Sequence, residues 1–228
     1  PTGTVATTNM MFTVAGEHLF GGPAKGLPAE GAVMFEDAPF APRGWEAFRF
    51  GNENRRLQPN FTTLDIVHTG DDGLARFAVD FPQKARPRAA VKMTVQCSVF
   101  EGGGRPASAR AMTMLHAYPY YIGVALPDTI RESAKPRACR VVVVNPDGTP
   151  HAGTRRLTAR FERVESVYGL KKTPSGSWEW RTDKVRYPMG DEVPVEVSAS
   201  GLATLQVPTS SMGDYAVTLV EEETGVSF

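Results

Sequence analysis

The sequence predicts an all-β chain built from two tandem seven-stranded antiparallel β-sandwiches, residues 1–117 and 118–228. Three observations carry this. The 228 residues include 22 glycines and 18 prolines, the dense punctuation that many short strands and turns require. Residues 66–82, IVHTGDDGLARFAVDFP, set two strand-like runs around a Gly-Asp-Asp-Gly turn. After that turn Ala75, Phe77, Val79 and Phe81 fall on one face and Leu74, Arg76, Ala78 and Asp80 on the other, the period of two expected when one side of a strand is buried. The same device returns at residues 140–153, RVVVVNPDGTPHAG, about 75 residues further on, where Pro-Asp-Gly punctuates a run of valines. Apolar residues never recur with the helical period over three turns, so little helix is expected.

In chain order, the first strand is expected at residues 9–18, NMMFTVAGEH, and the second at AVMFE, residues 32–36. The stretch from Asp37 to Asn60, with Trp45, Phe48 and Phe50 between prolines and glycines, is long and polar enough to be expected as a surface excursion. TTLDIVH and LARFAVDF flank the central turn, and VKMTVQCSVF and ARAMTMLH complete the first set. The boundary between the two sets is expected near Ala117 to Tyr121, where HAYPYY places a proline between two strand patterns. YYIGVALP, residues 120–127, opens the second set, and the polar DTIRESAKPR links it to the valine run. LTARFERVES puts Leu157, Ala159 and Phe161 on one face and turns through Pro174-Ser175-Gly176 into WEWRTDKVRY. PVEVSA, GLATLQVP and YAVTLVEEE follow, and the final TGVSF begins one more strand.

Lysines plus arginines equal aspartates plus glutamates at 25 each and neither sign clusters along the sequence, which argues against nucleic acid as a partner and against direct membrane contact. There is no apolar run of the roughly 20 residues that span a bilayer. The N-terminus lacks an initiator Met and the features of a signal peptide, so the chain reads as a piece excised from a longer protein. Cys97 shares a strand face with Val91, Met93, Val95 and Val99, and Cys139 sits at the start of the valine run. Cys97 reads as a small buried hydrophobe; the two cysteines fall in different predicted domains, which argues against a disulfide between them, and no Cys-x-x-Cys spacing suggests a metal.

The remaining chemistry is sparse. Four histidines, His18, His68, His116 and His151, show no ligand spacing, and no serine lies in a Gly-x-Ser-x-Gly elbow. Asp71, Asp72 and Asp147 are explained by turn chemistry, because the alternating acidic positions and distal Glu of a calcium loop are absent. The expectation is therefore no enzyme, no catalytic or metal residues and no cofactor. Met112 and Met114 share one face and are read as core or interdomain contacts. Trp178 and Trp180, two apart in SWEW, also share a face. Burial in a core or against a neighbouring domain is the expectation for them, and a ligand platform of Trp178, Trp180 and the loop residue Trp45, suited to a carbohydrate or another surface, is the alternative.

LFGGPAKGLPAEG, residues 19–31, is similar to the Tyr-x-Tyr-Gly-x-Pro-Val-x-Gly stretch that opens a mid-chain macroglobulin domain in alpha-2-macroglobulins and complement components. TGDDGLARFAVDFP resembles the turn and strand that follow in bacterial members, and VFEGGGRPASAR their last hairpin. In the second half YYIGVALP, VVVVNPDGTPHAG, an arginine-rich strand, the WEW strand and GDYAVTLVEEETG come in the same order as in that family. The resemblance covers nearly the whole chain and implies macroglobulin-like sandwiches, of immunoglobulin or fibronectin-III-like architecture, from a bacterial alpha-2-macroglobulin. Such a protein is a large periplasmic protease trap, commonly anchored to a membrane as a lipoprotein. It works through a bait segment and a Cys-x-Glu-Gln thioester. Neither occurs here, so no functional residue is carried over. The implied role is a wall of the trap, with other domains of the parent chain as partners and target proteases met only through the full-length protein.

Overall fold

A computed structural model describes residues 4–5, 10–82, 85–103, 106–125, 137–209 and 213–228. Every regular element in it is a strand, as the alternating patterns require. The chain divides into two compact units. One comprises Pro1–Phe40 and Glu53–Pro119, the other Ala41–Asn52 and Tyr120–Phe228. The linker DTIRESAKPR lies, but for Arg137, outside the described residues.

The first unit holds β1 (Thr4–Val5), β2 (Met10–Ala15), β3 (Pro28–Ala38), β5 (Asn60–Thr63), β6 (Val67–His68), β7 (Leu74–Val79), β8 (Ala90–Val99) and β9 (Ala107–His116). One sheet runs β1-β9-β8-β3-β5, with β6 also on β3, and β2 pairs β7 in a second. β5 and β6 lie on the same strand with a shift of register between them, so they form one edge interrupted at Leu64–Ile66. Both sheets supply the core: Met10, Val79 and Phe81 from one meet Val33, Phe35, Val91, Met93 and Leu115 from the other. The inward set expected after the central turn is the set observed, with Ala75, Phe77, Val79 and Phe81 all buried. Phe77 stacks on Phe12 at 4.9 Å and fills the space left by the missing side chain of Gly31, where a Cβ would come within 2.8 Å of the ring. Gly31 is thus needed for room rather than for its backbone angles.

The central turn closes as its sequence dictates. Gly73 takes φ of 73°, which costs a glycine little. Asp72 accepts the Leu74 N–H at 3.0 Å and pairs with Arg76 at 2.6 Å. The Arg76 guanidinium and the Leu74 N–H hold the Asp72 carboxyl below the usual carboxylate range. Asp147 plays the same part in the second turn, accepting both the hydroxyl and the N–H of Thr149.

The second unit holds β4 (Arg49–Phe50), β10 (Tyr121–Ala125), β11 (Arg137–Val144), β12 (Arg155–Lys172), β13 (Trp178–Pro188), β14 (Val193–Val197), β15 (Leu202–Val207) and β16 (Asp214–Val220). The sheets are β15-β11-β10-β4 and β13-β12-β14 with β16 on β12. β13 and β14 pair with consecutive stretches of β12, again one edge with an interruption. Each unit therefore has eight described strands, and the expected seven only when each interrupted edge is counted once.

Three expectations are corrected. The Asp37–Asn60 stretch is not simply a surface excursion, because β4 adds to the sheet of the second unit beside β10. Its pattern was invisible because two paired residues are too short to show a period. Met112 and Met114 are exposed rather than core. Strand parity explains this, since Leu115 takes an inward position of β9 and Met114 and Met112, one and three residues before it, fall on the other face. The closing TGVSF forms only a bridge between Val220 and Ser227, supported by the Phe228 N–H bonding the Leu219 carbonyl.

Candidate functional site: an aromatic hairpin face

β12 is 18 residues long, whereas β14 covers only its Arg155–Ala159 stretch and β16 only Thr158–Val164. Beyond that point β12 and β13 continue as a two-stranded ribbon. It closes at Thr173–Ser177, where the Gly176 N–H bonds the Thr173 carbonyl at 2.9 Å with φ of 89° at Gly176. Directly paired residues share a face, so the unbroken register from Glu162↔Pro188 to Lys172↔Trp178 sorts every side chain of the ribbon.

One face carries Tyr168, Leu170 and Lys172 from β12 with Trp178, Trp180 and Lys184 from β13. Because Leu157, Ala159 and Phe161 occupy the buried face of β12, the even-numbered residues continue the outward one. Trp178 and Trp180 are 62% and 61% exposed and Tyr168 is 65% exposed, so the tryptophans are not core residues of this unit. The reason is the length of β12, which carries them past the last covering strand. Tyr168 and Trp180 stack at 4.9 Å with their planes 12° apart, so each ring spends one of its faces on the other. The opposite face of the ribbon is charged and internally paired: Arg163 with Glu165, Lys171 with Asp183, and Arg181 with Glu179.

Trp45 does not join this face. Its indole N–H donates to the Gly148 carbonyl at 2.8 Å and its ring meets Phe48 edge-on, fastening the Ala41–Asn52 segment to the Pro-Asp-Gly turn of its own unit. Of the three tryptophans in the proposed platform, the structure brings together two. Tyr168 and Leu170 are the residues the sequence reading missed, and the signal was there in the hairpin pairing of VYGLKK with WEWRTD.

The other reactive groups are tied into the fold. Cys97 and Cys139 are free and buried, and burial pushes both thiols above their ordinary range. His18 bonds Glu101 at 3.0 Å and stacks on Phe20. His151 Nδ1 bonds Asn145 at 2.6 Å while its Nε2 meets the Arg155 guanidinium at 2.8 Å. Since the guanidinium can only donate, Nε2 accepts and the proton sits on Nδ1. Burial first, and then the charge of Arg155, pushes His151 down. Arg155 also lies 5.1 Å over the ring of Tyr120, whose hydroxyl reaches Thr224 at 2.9 Å. Thr224 in turn donates its hydroxyl and its N–H to Glu221. Burial alone would raise the Glu221 carboxyl, but those bonds, Tyr120 and the charge of Arg155 outweigh it and hold the group low.

Residues 2–116 match the family profile described as the bacterial alpha-2-macroglobulin MG5 domain. The chain belongs to the bacterial alpha-2-macroglobulin family. An alpha-2-macroglobulin of Xylella fastidiosa (strain Temecula1 / ATCC 700964) is 27% identical over 223 residues, 95% of this chain and 13% of the relative. Among solved structures, Escherichia coli alpha-2-macroglobulin activated by porcine elastase superposes with a TM-score of 0.69 at 20% identity, covering 100% of this chain and 21% of that one. A mutant Salmonella alpha-2-macroglobulin gives 0.67 at 21%, covering 99% and 16%. The likeness to these two structures is one of fold. The chain spans less than a quarter of each of these alpha-2-macroglobulins, and the profile match falls on the first half, whose core surrounds Phe77.

Proposed function

We propose that this chain is a non-catalytic structural section of a bacterial alpha-2-macroglobulin that inhibits endopeptidases by trapping them, and that it forms part of the wall of the trap. The match of residues 2–116 to the MG5 domain profile carries the reading. It is supported by the chemistry above: the cysteines are buried, His18 and His151 are bonded to neighbouring side chains, and Asp72 and Asp147 serve their turns. The parent is read as a periplasmic protein anchored as a lipoprotein. The neighbours of this section are other domains of the parent, and target proteases are met only through the full-length protein. The purified 228-residue chain should leave serine and metalloproteases fully active toward protein and small substrates. Stoichiometric inhibition, or hydrolysis of a substrate by the chain itself, would refute the proposal.

The exposed Trp178 and Trp180 favour a second reading, a carbohydrate- or surface-binding module. Stacking of a sugar needs open ring faces, and the Tyr168–Trp180 pair has already closed two of them. A saturable change in tryptophan emission with a soluble oligosaccharide, lost in Trp178→Ala, would favour this second reading.

A further inference from the structure

Overall neutrality hides a local segregation of charge on the β12–β13 ribbon. From Ser166 to Lys184, the face bearing Tyr168, Leu170, Trp178 and Trp180 contains no carboxylate; Asp214, opposite Val164 on β16, and Glu162 lie at its base. Its cations are Lys172, opposite Trp178, and Lys184, opposite Ser166, with Arg186 at the base bonded to Glu162. Among the described residues neither Lys172 nor Lys184 has an ion-pair partner, whereas Glu165, Glu179 and Asp183 on the opposite face are each paired there. The tip, Thr173–Ser177, is polar and uncharged.

A carboxylate-free face of exposed aromatics, a leucine and unpaired lysines asks for an apolar and anionic partner. Lysine separates two candidates, because protein interfaces are depleted of it while aromatic rings with flanking Lys are the residue set of a membrane–water interface. The indole N–H and phenol hydroxyl suit that boundary, since each ring has an apolar body and a polar handle. Shape agrees: the ribbon is a projecting sheet of two strands, open along the outer edge of β13 among the described residues. Open edges keep their N–H and C=O groups satisfied at headgroup depth but not in the hydrocarbon, which sets the depth of contact.

We infer that the Tyr168/Leu170/Trp178/Trp180 face of the hairpin docks on an anionic phospholipid surface, with Lys172 and Lys184 at the headgroups. This goes beyond the trap-wall reading and does not depend on it. Each lysine near such a surface strengthens binding about fivefold, and the gain is screened by salt.

The test is sedimentation of the purified chain with vesicles of phosphatidylglycerol and phosphatidylethanolamine, beside vesicles of phosphatidylcholine alone. Expected is binding to the anionic vesicles only, weakened at least about tenfold by the double variant Lys172→Glu/Lys184→Glu and abolished by Trp178→Ser/Trp180→Ser. Brominated acyl chains should quench the tryptophan emission of the bound chain. Both double variants alter exposed side chains, and unchanged circular dichroism and thermal midpoints establish that they fold. Absence of binding to the anionic vesicles, or binding that survives both double variants, overturns the inference. So does concentration-dependent protection of Trp178 and Trp180 from iodide without lipid, which assigns the face to a protein neighbour.

Discussion

The ring of Phe50 lies on Gly123, its partner across the β4–β10 pairing, so closely that a Cβ on Gly123 would stand 2.7 Å from Cζ of the ring. A strand of two residues is held by this contact, by Trp45 on Gly148 and by the buried bond from Asn52 to Ser227. Phe50→Ala should cost about 3–5 kcal/mol and Gly123→Ala about 1–3 kcal/mol, while exposed Arg49→Ala stays within about 0.5 kcal/mol. Chemical denaturation of the three variants checks this. A small cost for Phe50→Ala would return residues 41–52 to the status of a surface loop.

In the first unit the register after the central turn makes a parallel prediction. Phe77→Ala removes the ring that stacks on Phe12 and covers Gly31, and should cost about 3–5 kcal/mol. Arg76→Ala loses only an exposed pair with Asp72 and should cost less than about 1 kcal/mol. Equal costs would contradict the inward placement of the odd-numbered residues.

The same two phenylalanines mark what the sequence could and could not disclose. Phe77 sits in a run long enough for its alternation to define a buried face, so strand, register and core were legible together. Phe50 sits in a pair of residues between turns, where pairing is decided by a partner over 70 residues away and local pattern has nothing to report. For Trp178 and Trp180 the shared face was legible from parity, but their exposure depended on how far β12 outruns β14 and β16. That is a relation among three strands, which no single stretch encodes. Their lysine neighbours entered the sequence reading only as part of a net charge of zero.

Acid should weaken both units. Burial depresses His116 in the first unit, and burial with Arg155 depresses His151 in the second. A depressed folded-state pKa means that the unfolded chain binds the proton more readily. The stability these neutral rings contribute is therefore complete above the unfolded value of about 6.5 and is lost as pH falls below it. Glu221, also held low, adds a loss that begins only below the ordinary Glu range. Urea midpoints at pH 8, 7, 6 and 5 should fall through the lower half of that range, and His116→Gln should flatten the fall. Midpoints that rise on acidification would contradict the burial of these rings.

Both thiols should be silent in the native state. Buried and pushed up in pKa, Cys97 and Cys139 should react with a thiol-selective aromatic disulfide only at the rate of unfolding, and completely once denaturant is added. Rapid labelling of either one under native conditions would contradict its place in the core.

The trap-wall reading meets its most direct test in the full-length parent protein. It should be exposed to proteases of several specificities, and the first cleavage in each case mapped by mass spectrometry as inhibition develops. The account predicts that every first cut falls outside the 228 residues of this chain, which stay intact while protease is captured. An inhibitory first cut within them would make this section the trigger of the trap and contradict its role as wall.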